Sequence, residues 1–210
     1  MKGYLPLLFK VEGKSAAVIG AGSVAKRHVL KLIKVGISDI IVYAPSLDED
    51  FQTFVNREEV TWRKGEVQAS QLFIENMLFL TTNNSELHLA IYQNRQPNQL
   101  IYMADHPELS DFHFPLTLEK GLLTIALSTG GASPSYGKQL MTEFESFLTD
   151  TIEEDLDFLA KARQQVLASG LDEQTRRNIL KRTATKAFLH NRERGTLLKQ
   201  LLDEHTKKST

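Results

Sequence analysis

Val18-Ile19-Gly20-Ala21-Gly22-Ser23-Val24-Ala25 is the stretch that decides the fold. It fits G-x-G-x-x-A, with a short apolar run at 14–19 before it. After it, at 24–35, Val24, Leu32, Ile33 and Val35 alternate with Lys26, Arg27, Lys31 and Lys34 at a helical spacing that Gly36 stops. A strand, a tight glycine turn and a helix in that order form the opening unit of a dinucleotide-binding sheet. Gly20 permits the turn, Gly22 lets a pyrophosphate approach the backbone, and Ala25 lets helix and strand pack closely. The first N–H groups of the helix, with their partial positive charge, suit the phosphates. The other reading of the same residues is a purely structural turn.

Working outward, a second strand is expected at 40–43, ending at Ala44-Pro45, and a short third at 60–63. A stronger strand follows at 77–81, then a helix at 85–93 and a strand at 100–104 that delivers Asp105. Such alternation means a parallel sheet with helices on both faces. Beyond Pro115, segments 116–119 and 122–127 read as a hairpin around Glu119-Lys120-Gly121. A turn at 130–134 leads into helix, and everything from 135 on is helical in period with one break near Ser169-Gly170. Leu156, Leu159, Ala160, Val166 and Leu167 form one apolar stripe there; Ile179, Leu180, Ala187, Leu197, Leu198, Leu201 and Leu202 form another, and both read as core or subunit packing. Residues 207–210 are expected to fray. The fold class is α/β: a Rossmann-type parallel sheet at 1–115, a small α+β region at 116–150 and a helical part at 151–210.

Composition narrows the function. The chain of 210 residues is 41% hydrophobic and 24% charged with a net charge of −1, so nothing favours nucleic acid as a partner. The absence of Cys removes disulfides, thiolate metal sites and cysteine nucleophiles, and fits a reducing compartment. The apolar run near the start is short and broken by Pro6, and no stretch approaches the roughly 20 apolar residues that span a bilayer. The expectation is a soluble cytoplasmic protein with no membrane partner.

Ligands bind outside the carboxyl ends of such strands, which singles out three places. At the end of the second strand the usual ribose-binding acid is missing; Ser46, the backbone near Pro45, or Asp48 would hold the ribose. No Arg stands there for a 2′-phosphate, which favours NAD over NADP. Asp105 is placed to act as a general base or to hold a reacting N–H, or else only to cap the turn before Pro107. The cations Lys26 and Arg27, with His28 beside them, form either a solvated first turn or an anion contact. In Ser128-Thr129-Gly130-Gly131-Ala132-Ser133-Pro134, Ser133 can cap a helix that Pro134 begins, and the glycines can bare backbone donors to an anion, with Lys138 nearby. Asp105, His106, Asp111 and His113 lie close in sequence but match no metal-ligand spacing, so no metal site is expected.

Taken together, these segments resemble the precorrin-2 dehydrogenases, including the N-terminal module of siroheme synthase. Leu5-Pro6-Leu7 and the run from Val18 to Arg27 resemble the family's opening. Thr81-Thr82-Asn83-Asn84, Tyr102-Met103-Ala104-Asp105 and the loop from Ser128 to Pro134 resemble three further segments, in the same order over residues 3–148. The resemblance implies NAD-linked oxidation of precorrin-2 to sirohydrochlorin, a dimerisation region at 116–150 and a homodimer. It implies Asp105 as the catalytic candidate and Gly20, Gly22, Ser23, Val24, Pro45, Ser46 and Thr82 as NAD contacts. For the polycarboxylate substrate so implied, Arg27 and Lys138 suit by charge and Thr129, Gly130 and Ser133 by their place in the anion loop, with Thr129 where some relatives carry a phosphorylatable serine. Tyr102 replaces the family asparagine, and Asn83-Asn84 replace acidic residues, which weighs against metal handling. Two other readings stay open: a bifunctional dehydrogenase–ferrochelatase, and an NAD-sensing module without chemistry.

Overall fold

The computed structural model describes residues 4–206, so the expectation of fraying at 207–210 lies outside the described residues. Two compact units divide the chain, Met1–Phe114 and Pro115–Thr210. The regions 116–150 and 151–210, separated in the sequence reading, fall within one of them.

In the first unit, β1 (Ser15–Ile19), β2 (Asp39–Ala44), β3 (Thr61–Lys64), β4 (Met77–Leu80) and β5 (Leu100–Met103) form a five-stranded sheet in the order β3-β2-β1-β4-β5. Every neighbouring pair is parallel. Alternation within the strands builds two cores. Ala16, Val18, Ile40, Val42, Met77 and Phe79 face one side, packed with Ala25, Val29 and Leu32 of α1 (Ser23–Lys34) and Phe51 and Phe54 of α2 (Glu49–Asn56). Ala17, Ile19, Leu78, Leu80, Ile101 and Met103 face the other, packed with Ile91 of α3 (Ser85–Asn94). Burial on both faces explains why β1 and β4 read as continuous apolar runs. The sequence reading lacked α2: its eight residues hold less than one full apolar repeat, and Asp48, weighed as a ribose ligand, is its N-cap, accepting from the Phe51 N–H at 2.8 Å.

The second unit opens with the antiparallel hairpin β6 (Leu116–Lys120) and β7 (Leu123–Leu127). On it lies α4 (Pro134–Phe147), where buried Gly137 leaves room for Leu116, Thr129 and Leu127; a methyl there would meet them at 3.1–3.4 Å. Then come α5 (Ile152–Ala168), α6 (Glu173–Thr183), α7 (Lys186–Leu189) and α8 (Arg194–Thr206). The expected single break is one of four, the others falling at Leu148-Thr149-Asp150-Thr151, at Ala184-Thr185 and at 190–193. Val166, Ile179, Leu198 and Leu201 of the expected stripes are buried, together with Ala162, Leu171 and Phe188. Ala187 and Leu167 are exposed instead, because α7 turns Phe188 inward and α5 presents Ala162 and Val166 to the core.

Candidate active site

A cleft of about 490 Å³ opens at the carboxyl ends of β1, β2 and β4, where the sheet order reverses. Three loops line it: Gly20, Ala21 and Gly22 after β1, residues 44–48 after β2, and Thr81, Thr82 and Asn83 after β4. Gly20 has φ +111, and a methyl added there would stand 3.1 Å from the Thr81 carbonyl and from its Oγ1. That close approach is held by the Thr81 N–H and hydroxyl, both donating to the Ile19 carbonyl at 2.9 and 2.8 Å. The first glycine is thus fixed by its neighbour strand's loop and not by the turn alone.

Gly22 differs. Its backbone is extended (φ −85, ψ −175), and nothing lies within 4 Å of where a methyl would be. It is the N-cap of α1, and no side chain caps that helix, whereas Asp48 and Asn84 cap α2 and α3 of the same unit. An uncapped helix start beside an open space on a cleft is a cradle for an anion, and it fits the pyrophosphate of a dinucleotide.

Of the expected cofactor contacts, Gly20, Gly22, Pro45, Ser46 and Thr82 line the cleft; Ser23 and Val24 open α1 beside it without lining it. Ala21, Ala44, Leu47, Asp48, Thr81 and Asn83 join the lining. Asp105 is not among the lining residues; it lies two residues past the end of β5, one strand further out. A buried histidine ties it back. His88, on α3 and fully buried, has Nδ1 2.6 Å from the Asp105 carboxylate and Nε2 2.8 Å from the Thr82 hydroxyl. Partial burial pushes the Asp105 carboxyl up, but hydrogen bonds from His88 and Ser85 outweigh it and hold the group below the ordinary carboxylate value. Asp105 is therefore an anion at neutral pH, better suited to holding positive charge or an N–H group than to strong general-base work. Sequence reading missed His88, whose partners lie six and seventeen positions away.

The cation cluster after the glycine loop does not act together. Lys26 pairs with Asp50 of α2, Arg27 is exposed, and His28 is buried among aromatic rings rather than solvated in a first turn. The polar residues around Asp105 also go separate ways. His106 bonds Ser85 and Glu108, Asp111 takes Arg95 and the Ile101 N–H, and His113 meets Tyr4. Among the described residues no three His, Asp or Glu side chains gather as a metal-holding group. Likewise, no described helix is long and apolar enough to cross a membrane.

In the second unit the loop before α4 is braced internally. Ser133 caps α4 by accepting from the Tyr136 N–H, and Pro134 is in its first turn. The Thr129 hydroxyl accepts from the Ser133 N–H, the Thr129 carbonyl from the Ala132 N–H, and the Ser128 hydroxyl from the Gly130 N–H. The backbone donors expected to be bare are thus largely engaged, while Lys138 is exposed on α4.

Residues 7–116 match the family model described as "Putative NAD(P)-binding". The sequence is 26% identical over 160 residues to the precorrin-2 dehydrogenase of Bacillus subtilis (strain 168), covering 76% of this chain and 94% of that protein. It is 32% identical over 148 residues to a siroheme synthase of Xylella fastidiosa (strain M12), covering 70% of this chain but 31% of that longer protein. The solved structure of SirC, a precorrin-2 dehydrogenase, covers 96% of this chain and 100% of its own with a TM-score of 0.79 at 18% identity, so the fold is shared.

Proposed function

This chain belongs to the NAD(P)-binding family matched over residues 7–116, and we propose that it oxidises precorrin-2 to sirohydrochlorin with NAD, a step in making siroheme. The observation that carries this reading is the similarity to the Bacillus subtilis precorrin-2 dehydrogenase, which runs over 160 residues and so extends past the dinucleotide-binding part. Bound NAD supplies the hydride acceptor.

The chain's own residues do the rest. Gly20, Gly22, Ser23, Val24, Pro45, Ser46 and Thr82 hold the dinucleotide, with its pyrophosphate against the uncapped start of α1. Asp105 faces the reacting macrocycle as an anion, favouring the positive charge that develops as a hydride leaves and taking or orienting the N–H proton that departs with it. Within the first unit Arg27 is a contact for substrate carboxylates; Thr129, Gly130, Ser133 and Lys138 of the second unit are separate candidates for holding an anion. The two-stranded sheet β6–β7 is small and leaves strand edges to be covered, which supports a homodimer formed through this region. A cytoplasmic, membrane-free and nucleic-acid-free setting agrees with the lack of Cys and the near-neutral charge.

The test is anaerobic incubation of the full chain with precorrin-2 and NAD, with and without ferrous ion. NADH formed in step with sirohydrochlorin is the expected result. NAD binding without reduction would make the chain a sensor and overturn the proposal. Metal insertion in the ferrous arm would add the chelatase activity that Asn84, here a helix cap, gives no reason to expect.

A further inference from the structure

His88 joins the cofactor cleft to Asp105, and its hydrogen bonds define which nitrogen holds the proton. The Thr82 backbone N–H donates to Nε2 at 3.2 Å, so Nε2 must offer a lone pair. The proton then sits on Nδ1, 2.6 Å from Asp105 Oδ1. The Thr82 hydroxyl, 2.8 Å from the same Nε2, accepts from the Asn84 N–H at 3.2 Å, which leaves its own proton to point at the ring. Asn84 in turn caps α3, the helix that carries His88. The ring is thus fixed on both sides, with 0% exposure, while the Asp105 side chain keeps 31% of its surface accessible.

We propose that His88 is the positioning residue of this site, a neutral imidazole that donates from Nδ1 to Asp105 and accepts at Nε2 from Thr82, thereby fixing the carboxylate relative to the cofactor loop. Direct reaction at His88 is ruled out by its burial; its action runs through Asp105. Held at Oδ1, the carboxylate is fixed in orientation while 31% of its side chain stays accessible to a substrate. Nearby charged or titratable groups are His106, with Nε2 3.8 Å from Oδ2, and Glu108 behind His106 at 3.1 Å. Ser85 also bonds the carboxylate.

Two substitutions separate the two ends of the ring. The Asn side-chain nitrogen can stand where Nδ1 stands, so His88→Asn keeps the bond to Asp105 and loses Thr82. The Gln side chain reaches the Nε2 position, so His88→Gln keeps Thr82 and loses Asp105. The turnover arm rests on the precorrin-2 reading. There His88→Gln should lower kcat about tenfold or more, with KM for NAD little changed, and shift the acid limb of the pH profile upward. His88→Asn should restore most of kcat. Equal losses in both variants would overturn the proposal.

The second arm is independent of substrate. Nitrogen-15 NMR of the wild-type imidazole should show Nδ1 protonated and Nε2 bare at neutral pH, and carbon-13 NMR should show the Asp105 carboxyl titrating higher in His88→Gln than in wild type. A proton on Nε2 of the wild type would sink the assignment even if neither variant folds, and an unmoved Asp105 titration in folded His88→Gln would sink it even if precorrin-2 is not the substrate. Absence of wild-type turnover with both NMR results intact would fault the substrate reading alone.

Discussion

Acid should loosen the first unit through His28. This residue of α1 is 2% exposed, with its ring 4.4 Å from Tyr102, 5.0 Å from Phe114 and 5.6 Å from Phe79. Lys31, lying 4.5 Å over the Phe114 ring, closes the cage on the same helix. Neither nitrogen of His28 has a hydrogen-bond partner. Burial first, then the charges of Lys31 and Arg27, lower its pKa from 6.5 to about 4. The folded unit therefore binds this proton more weakly than the unfolded chain does. The stability that goes with a neutral ring is fully present above pH 6.5 and is lost as the pH falls toward 4. Each pH unit in that window is worth about 1.4 kcal/mol, so at pH 5 the loss is about 2 kcal/mol. In His28→Leu there is no proton site. Losing ring contacts, at roughly 0.5–1.5 kcal/mol a pair, is offset by removing two unpartnered buried nitrogens, so the variant should lie near the wild type at neutral pH. Urea unfolding followed by Trp62, the single tryptophan and a residue of β3 in the same unit, reads the result. Between pH 7.5 and pH 5 the variant should gain about 2 kcal/mol on the wild type, carboxylate contributions cancelling in the comparison. Parallel profiles for the two proteins would refute the reasoning.

The two glycines of the cleft should respond in opposite ways. Gly20→Ala places a methyl 3.1 Å from the Thr81 backbone at φ +111, so the unit should lose about 1–3 kcal/mol by Trp62 fluorescence, and calorimetry should find no NAD binding. Gly22→Asp meets open space at an ordinary backbone angle and supplies the missing cap, so thermal stability should rise by the equivalent of about 0.5–1 kcal/mol while NAD affinity falls at least about tenfold. A stable Gly22→Asp that binds NAD normally would show that the pyrophosphate does not sit there. Asp105→Ala should cut turnover about tenfold or more in steady-state kinetics with little change in NAD affinity; wild-type turnover would remove Asp105 from the reaction.

The sheet is legible because β1, β2, β4 and β5 are short apolar runs, and a doubly wound order leaves few places for them. The helical part was misread for a physical reason. Glycine is the expected stop signal, yet Thr and Asp restart these helices: Asp172 caps α6 by accepting from the Thr175 N–H, and Thr185 caps α7 by accepting from the Phe188 N–H. A side chain that bonds the backbone locally competes with the helix as well as starting it. The same rule would have given α2 from Asp48 followed by Glu49 and Asp50. At the site, Gly20, Gly22, Pro45 and Ser46, which line the cleft by backbone or strand-end position, are readable from spacing. His88, packed under the surface, is not, since it meets Thr82 and Asp105 only by the return of α3 against β5.

The two buried histidines of the first unit show where packing ends and chemistry begins. His28 and His88 both lie on helices flanking the sheet, and both are almost wholly removed from water. Burial of an imidazole is costly unless its nitrogens find partners. Around His28 they find none, and the ring is held by aromatic neighbours that would hold an apolar side chain as well. Around His88 both nitrogens are engaged, and deleting the ring would strand the Thr82 N–H and one carboxylate oxygen of Asp105. A fully satisfied polar group in an apolar helix face constrains three residues at once, two of them in loops at the carboxyl ends of the strands. Packing alone has no use for that constraint; a carboxylate with the role proposed for Asp105, meeting a substrate in one orientation, does.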